Sequence, residues 1–147
     1  EPFTTSMFNY AGGMGARATK PGLDTTAYPT GVAAVPVEVI EQQAPLRFER
    51  KQLIPGSGGA GAQPGGRGQV VEFTVDTGQP WLLNAVASRL KVPPAGILGG
   101  EDGAGGRFLI NGEPVTDQRK LELASGDLVR MELPGGGGYG RPGENDG

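Results

Sequence analysis

The stretch Leu133-Pro134-Gly135-Gly136-Gly137-Gly138-Tyr139-Gly140 constrains this chain more than any other. It follows the alternating run Asp127-Leu128-Val129-Arg130-Met131-Glu132-Leu133, so a strand runs into a segment built almost wholly of glycine. Proline fixes one φ angle and removes a donor. Ordering each residue that follows costs about 1–2 kcal/mol of backbone entropy. Such a segment either makes close backbone contacts or is a solvated tail. If ordered, it has two possible roles. One is an anion cradle of backbone N–H groups. The other is a tight packing surface for a second chain or domain. The phosphate form of the first is weak, because there is no GxxxxGK[ST] pattern and no Lys after the glycines.

Glycine is not spread evenly through the 147 residues; its 28 copies cluster at 12–15, 56–68, 96–106 and 135–140. With 13 prolines, Gly and Pro exceed a quarter of the chain, a level at which disorder competes with folding. Runs rich in Val, Leu, Ile and Phe lie between the clusters, the pattern of strands joined by glycine-dense loops. The expected fold class is mainly β: one β-rich domain with long Gly-rich loops and at most one or two short helices. The domain is expected to span residues 1–140, with a polar tail over 141–147.

The net charge of −3 and the scattered basic residues give no nucleic-acid surface. No apolar run approaches the roughly 18 residues of a membrane span. Cys and His are absent, which excludes disulfides, thiolate or imidazole metal sites, and Cys or His catalysis within this chain. Only a carboxylate-and-carbonyl site for a hard cation would remain. The lack of cysteine fits a cytoplasmic protein.

Along the chain, Phe3 to Tyr10 is β-prone, and the glycines at 12–15 match a dinucleotide fingerprint only loosely, with no helix pattern after them. Residues 18–35 read as irregular. Pro36 to Pro45 reads as a short helix, with a strand over 35–40 as the alternative. In the helix Glu38 and Glu41 share a face near its positive end, where two carboxylates suit either a solvated face or acid/base chemistry. Leu46 to Ile54 reads as an edge strand, with Leu46, Phe48 and Arg50 on one side. Val70 to Asp76 is a β-branched strand. Trp81 to Arg89 reads as a further strand, with helix the alternative. Asn111-Gly112 between apolar runs signals a hairpin, and residues 107–133 read as a β meander.

The chain resembles the C-terminal part of the hydantoinase B/5-oxoprolinase family, which includes large subunits of ATP-dependent acetone and acetophenone carboxylases. The resemblance rests on segments in the family's order. These are Gly12-Gly13-Met14-Gly15-Ala16-Arg17; Pro36 to Glu41, then Pro45-Leu46-Arg47 and Glu49-Arg50; Ser57-Gly58-Gly59-Ala60-Gly61 with Gly65-Gly66 and Gly68; Pro93-Pro94 with Gly96 and Gly99-Gly100; Ser125-Gly126-Asp127; and Pro134 to Gly140. Two places depart from it. Ala62-Gln63-Pro64 stands where relatives carry an Arg and an aromatic, and Ala95 where they carry an aromatic.

The resemblance implies part of a multisubunit ATP-dependent enzyme that hydrolyses a cyclic amide (hydantoin, 5-oxoproline, lactam) or carboxylates a ketone. ATP would phosphorylate an imidate-like or enolate-like oxygen, and water or a carboxylate would then attack. ATP and a divalent metal are expected elsewhere in the assembly, with no cofactor, metal or catalytic residue in this chain. The partners implied are a hydantoinase-A-like subunit and the remainder of a hydantoinase-B-like subunit. Arg17, Glu38, Glu41, Arg47 and Arg89 are the substrate or interface candidates. Gly58, Gly59, Gly61, Gly135, Gly136, Gly137, Gly138 and Tyr139 are the expected packing surface between subunits. The competing reading is a stand-alone β-rich module that binds an anion or a protein without catalysis.

Overall fold

A computed structural model of the chain describes residues 10–25, 44–85, 89–115 and 120–144. Glu38 and Glu41 of the candidate helix, and the β-prone run from Phe3 to Tyr10 except for Tyr10 itself, lie outside them. The described residues form seven strands and no helix, the mainly-β class expected. The strands are β1 (Leu46–Leu53), β2 (Gln69–Val75), β3 (Trp81–Leu83), β4 (Arg107–Ile110), β5 (Glu113–Pro114), β6 (Leu121–Leu123) and β7 (Leu128–Glu132).

Five of them make an antiparallel sheet in the order β1-β2-β7-β4-β5, and β3 pairs with β6 in a second, two-stranded sheet. β1 lies at an edge of the main sheet, as its charge content implies. The hairpin falls where Asn-Gly places it: Asn111 and Gly112 take left-handed φ values of 50° and 82° between β4 and β5. The meander reading needs correction. β6 leaves the main sheet to pair with β3, and β7 inserts between β2 and β4. Alternation identifies a strand but does not name its neighbour. In the run from Trp81 the strand ends at Leu83, and residues 86–88 lie outside the described ones.

One face of the main sheet builds the core. Val71, Phe73 and Val75 of β2 meet Phe108, Leu123 and Val129, with Val71 and Val129 fully buried. Phe73 joins the two sheets through ring contacts with Phe48 (centroids 6.0 Å apart) and Trp81 (6.5 Å). A bulge between Phe48 and Arg50 corrects the expected facing of β1. Phe48 opposes Phe73 on the core side, but Arg50 opposes Glu72 on the other face.

Tyr10 packs beside this core, with Lys51 Nζ 5.4 Å from its ring centroid. Its buried hydroxyl has no hydrogen-bond partner among the described residues, and burial pushes its pKa up to about 12. A raised folded pKa contributes stability that is complete below the unfolded value near 10. That stability is lost as pH climbs toward the folded value. Tyr10→Phe is therefore expected to flatten the loss of Tm between pH 10 and about 12 while leaving neutral-pH stability unchanged or raised. Parallel thermal melts across that range check it.

Candidate functional site

The segment 134–140 continues directly from β7 into the interior of a glycine lattice. Gly135, Gly136, Gly137 and Gly138 are all buried. None has a left-handed φ, so glycine stands there for space rather than for backbone angle. A Cβ on Gly135 would strike the Ser57 carbonyl, one on Gly136 that of Met14, one on Gly137 that of Ala95, and one on Gly138 that of Ala60. Successive residues thus face three different segments, and the fourth returns to the first. That is a period of three, the geometry of an extended polyproline-II-type helix rather than a strand.

The same period recurs in the surrounding segments. Gly12 and Gly15 face Pro134 and Gly137; Gly65 and Gly68 face Gly136 and Leu133; Gly100 and Gly103 face Gly138 and Gly135. Hydrogen bonds run in matching directions. Gly136 N–H donates to Gly66 O (2.8 Å), Gly138 N–H to Glu101 O (2.9 Å) and Gly135 N–H to Ala104 O (3.1 Å). Gly136 O accepts from Gly59 N–H (2.8 Å), and Gly137 O from Ala16 N–H (2.9 Å). A sheet strand reaches two neighbours; this segment reaches the 13–16, 59–66, 97 and 101–104 stretches together.

The anion-cradle reading fails on this count. Of the six amides from Gly135 to Gly140, all but that of Gly137 donate to backbone carbonyls within the chain. The backbone at Gly58, Gly59, Gly61 and Tyr139 makes close contacts within this chain. Gly59 and Gly61 lie against the 138–140 segment, and Gln63 and Tyr139 exchange two hydrogen bonds of 3.0 and 2.9 Å.

Side chains pin the lattice at its margins. Ser57, 2 % exposed, donates from Oγ to Ile54 O (2.7 Å) and accepts from Gly68 N–H (2.9 Å). Asp24 takes Arg67 through two guanidinium bonds (2.7 and 3.1 Å) and the Arg67 amide (2.7 Å), which hold its carboxyl below the usual range.

The candidate arginines do not converge. Arg17 is exposed and makes no ion pair among the described residues. Arg47, with its side chain 77 % exposed on the edge strand, pairs locally with Glu49 at 3.3 Å. Arg89 is exposed with a φ of 61°, and its carbonyl accepts from Gly106 N–H (3.0 Å).

A different charged group assembles on the sheet face away from the core. Arg50, Glu72, Arg130, Glu132 and Arg107 form an alternating ribbon across β1, β2, β7 and β4. Its closest links are Arg130–Glu72 at 2.6 Å and Arg130–Glu132 at 3.1 Å. Sequence reading missed it, although the alternation in β7 already put Arg130 and Glu132 on one face. Every carboxylate in this ribbon is paired, so it serves register rather than acid/base chemistry. Among the described residues no group of three or more His, Cys, Asp or Glu is placed to hold a metal ion. No helix among them is long and apolar enough to cross a membrane.

The described residues thus join an antiparallel sheet to a period-three glycine lattice that continues from it. The chain belongs to the hydantoinase B/oxoprolinase family, whose model matches residues 1–142. It is 38 % identical over 117 residues to an uncharacterised protein of Methanocaldococcus jannaschii, covering 76 % of this chain and 20 % of that protein. It is 30 % identical over 152 aligned residues to 5-oxoprolinase 1 of Arabidopsis thaliana, covering 94 % of this chain and 12 % of the enzyme. Its fold matches the crystal structure of the ATP-dependent caprolactamase from Pseudomonas jessenii with a TM-score of 0.67 and 26 % identity, over 89 % of this chain and 25 % of that one. The chain thus spans a fifth or less of the length of these two curated relatives.

Proposed function

We propose that this chain is the structural, non-catalytic portion of a cytoplasmic, multisubunit ATP-dependent enzyme that opens a cyclic amide. The observation that carries the proposal is the glycine lattice. Nearly all of the backbone donors of its central segment go to carbonyls of this chain, while the charged side chains of the described residues sit in structural pairs or in solvent. The acetone carboxylase fold matches as well as the caprolactamase, with a TM-score of 0.67, but at 21 % identity; the 5-oxoprolinases at 27–31 % and the caprolactamase at 26 % favour a lactam-type substrate over a ketone. ATP and its metal are held by the rest of the assembly, including a hydantoinase-A-like subunit and the remainder of the hydantoinase-B-like polypeptide.

The test is an assay of phosphate release with ATP, Mg²⁺ and 5-oxoproline or caprolactam. The purified 147-residue chain is expected to release none above background. The native assembly that contains it is expected to release phosphate in step with ring opening. ATP turnover by the chain alone, or a native assembly with no A-type or B-type polypeptide, sinks the reading.

A further inference from the structure

Residues 92–98 hold three of the most exposed large apolar side chains of the described structure: Val92 (65 %), Ile97 (55 %) and Leu98 (70 %). Leu98 is also strained. It has a φ of 52°, Gly99 follows at 90°, and Gly100 N–H closes the turn onto Ile97 O at 3.0 Å. Two central residues with left-handed φ make a turn of the kind that asks for Asn-Gly. Elsewhere the chain supplies Asn111-Gly112 for the same angles. At this turn it places a leucine in the unfavourable position and points most of that side chain into solvent. Neither turn chemistry nor packing within the described structure accounts for the choice.

The turn is also rigidly mounted. Ile97 N–H donates to Gly138 O, and Gly140 N–H donates to Ile97 O, both at 2.9 Å, so its base is part of the lattice. Pro93 and Pro94 stiffen the approach. The Arg141 stem lies against Gly99, whose missing side chain leaves room for it, and gives the tip a charged rim. A preorganised apolar anchor with a polar surround is the anatomy of an interface hot spot.

We propose that the Ile97–Leu98 turn is a docking knob for an apolar hollow on the remainder of the hydantoinase-B-type polypeptide, outside these 147 residues. This rests on the proposed function above. The occupant follows from the proportions of the relatives: this unit covers 20 %, 12 % and 25 % of their lengths, so in each most of the polypeptide lies beyond it.

Two measurements test it. In the 147-residue chain, Leu98→Asn is expected to raise Tm by about 2–4 °C, because it relieves the left-handed strain and removes nothing that is packed. A lower Tm would mean that Leu98 packs within its own chain, and would overturn the proposal. In the native assembly, a diazirine-bearing leucine analogue at position 98 is expected to cross-link to B-type sequence beyond this chain. In the same assembly, Leu98→Asn is expected to weaken that contact by roughly 30-fold. Cross-links to an A-type polypeptide or to a second copy, or none at all, overturn it while leaving the proposed function standing. An assembly without any B-type polypeptide fails the proposed function itself, and this inference falls with it.

Discussion

Gly136→Ala is expected to abolish cooperative folding or to cost more than about 4 kcal/mol, a loss confined to a short list of severe mechanisms. The new methyl would overlap the carbonyl of Met14, with the Gly15 nitrogen 2.7 Å away. Both are backbone atoms, so no side chain can swing aside. Parting the two segments would break Gly13 N–H to Pro134 O and Ala16 N–H to Gly137 O. Buried groups left unmatched cost about 1–3 kcal/mol each. Overpacking adds about 1–3 kcal/mol. A 147-residue domain commands only about 7–22 kcal/mol in total.

Two further substitutions separate space from backbone angle. Gly105 has an ordinary φ, and its nearest neighbour to a new Cβ is Arg89 O at 3.4 Å. Gly105→Ala should therefore change stability by under about 1 kcal/mol, and in the stabilising direction if the backbone stays put. Gly112 has open space but a φ of 82°, so Gly112→Ala should cost about 1–2 kcal/mol from the angle alone. Urea unfolding followed by circular dichroism ranks the three. If Gly136→Ala melts like Gly105→Ala, the lattice is not what holds this half of the domain together.

The strands were legible in the sequence because their side chains carry the message. Val70 to Val75 alternates into a core, Asn111-Gly112 writes its own turn, and the charges of β1 mark an edge. Pairing was less legible. Nothing in Leu121-Glu122-Leu123 says that its partner is Trp81–Leu83 rather than the adjacent β7. The bulge at Phe48/Arg50 was invisible to a strict count of two.

The lattice was missed for a different reason. Its interactions are backbone to backbone, so hydrophobicity and charge are silent about it, and glycine-dense stretches read as loops. The signal present was spacing. Gly12 and Gly15, Gly58 and Gly61, Gly65 and Gly68, Gly100, Gly103 and Gly106, and Gly135 and Gly138 all stand three apart. That is the interval at which an extended threefold helix returns to the same neighbour.

The side-chain core yields the second large effect. Phe73→Ala is expected to cost about 3–5 kcal/mol, the range for removing a buried Phe ring. Phe73 is 6 % exposed and its ring bridges Phe48 of β1 and Trp81 of β3, so the loss reaches both sheets. Each aromatic pair carries about 0.5–1.5 kcal/mol beyond its buried area. Trp81 is the chain's single tryptophan, and its indole N–H donates to Ala124 O at 3.1 Å, so its emission reports this junction alone. The emission should shift to the red in Phe73→Ala and stay near the parent position in Phe73→Leu, which keeps most of the volume. An unchanged spectrum in the alanine variant would contradict the bridging role.

The same variant asks whether sheet and lattice are one cooperative unit. β2 begins at Gln69, directly after Gly68, and β7 passes through Leu133 into Pro134 and Gly135. Leu133 N–H to Gln69 O (2.8 Å) and Ile54 N–H to Gly68 O (2.9 Å) stitch the junction. A defect in the sheet should therefore reach the lattice. The fall in stability read from Trp81 emission and the fall in amide protection at Gly136 should be equal in Phe73→Ala, as global opening requires. Protection at Gly136 that survives while the emission transition moves would mean that the lattice stands without the sheet. The domain would then be two units sharing a seam.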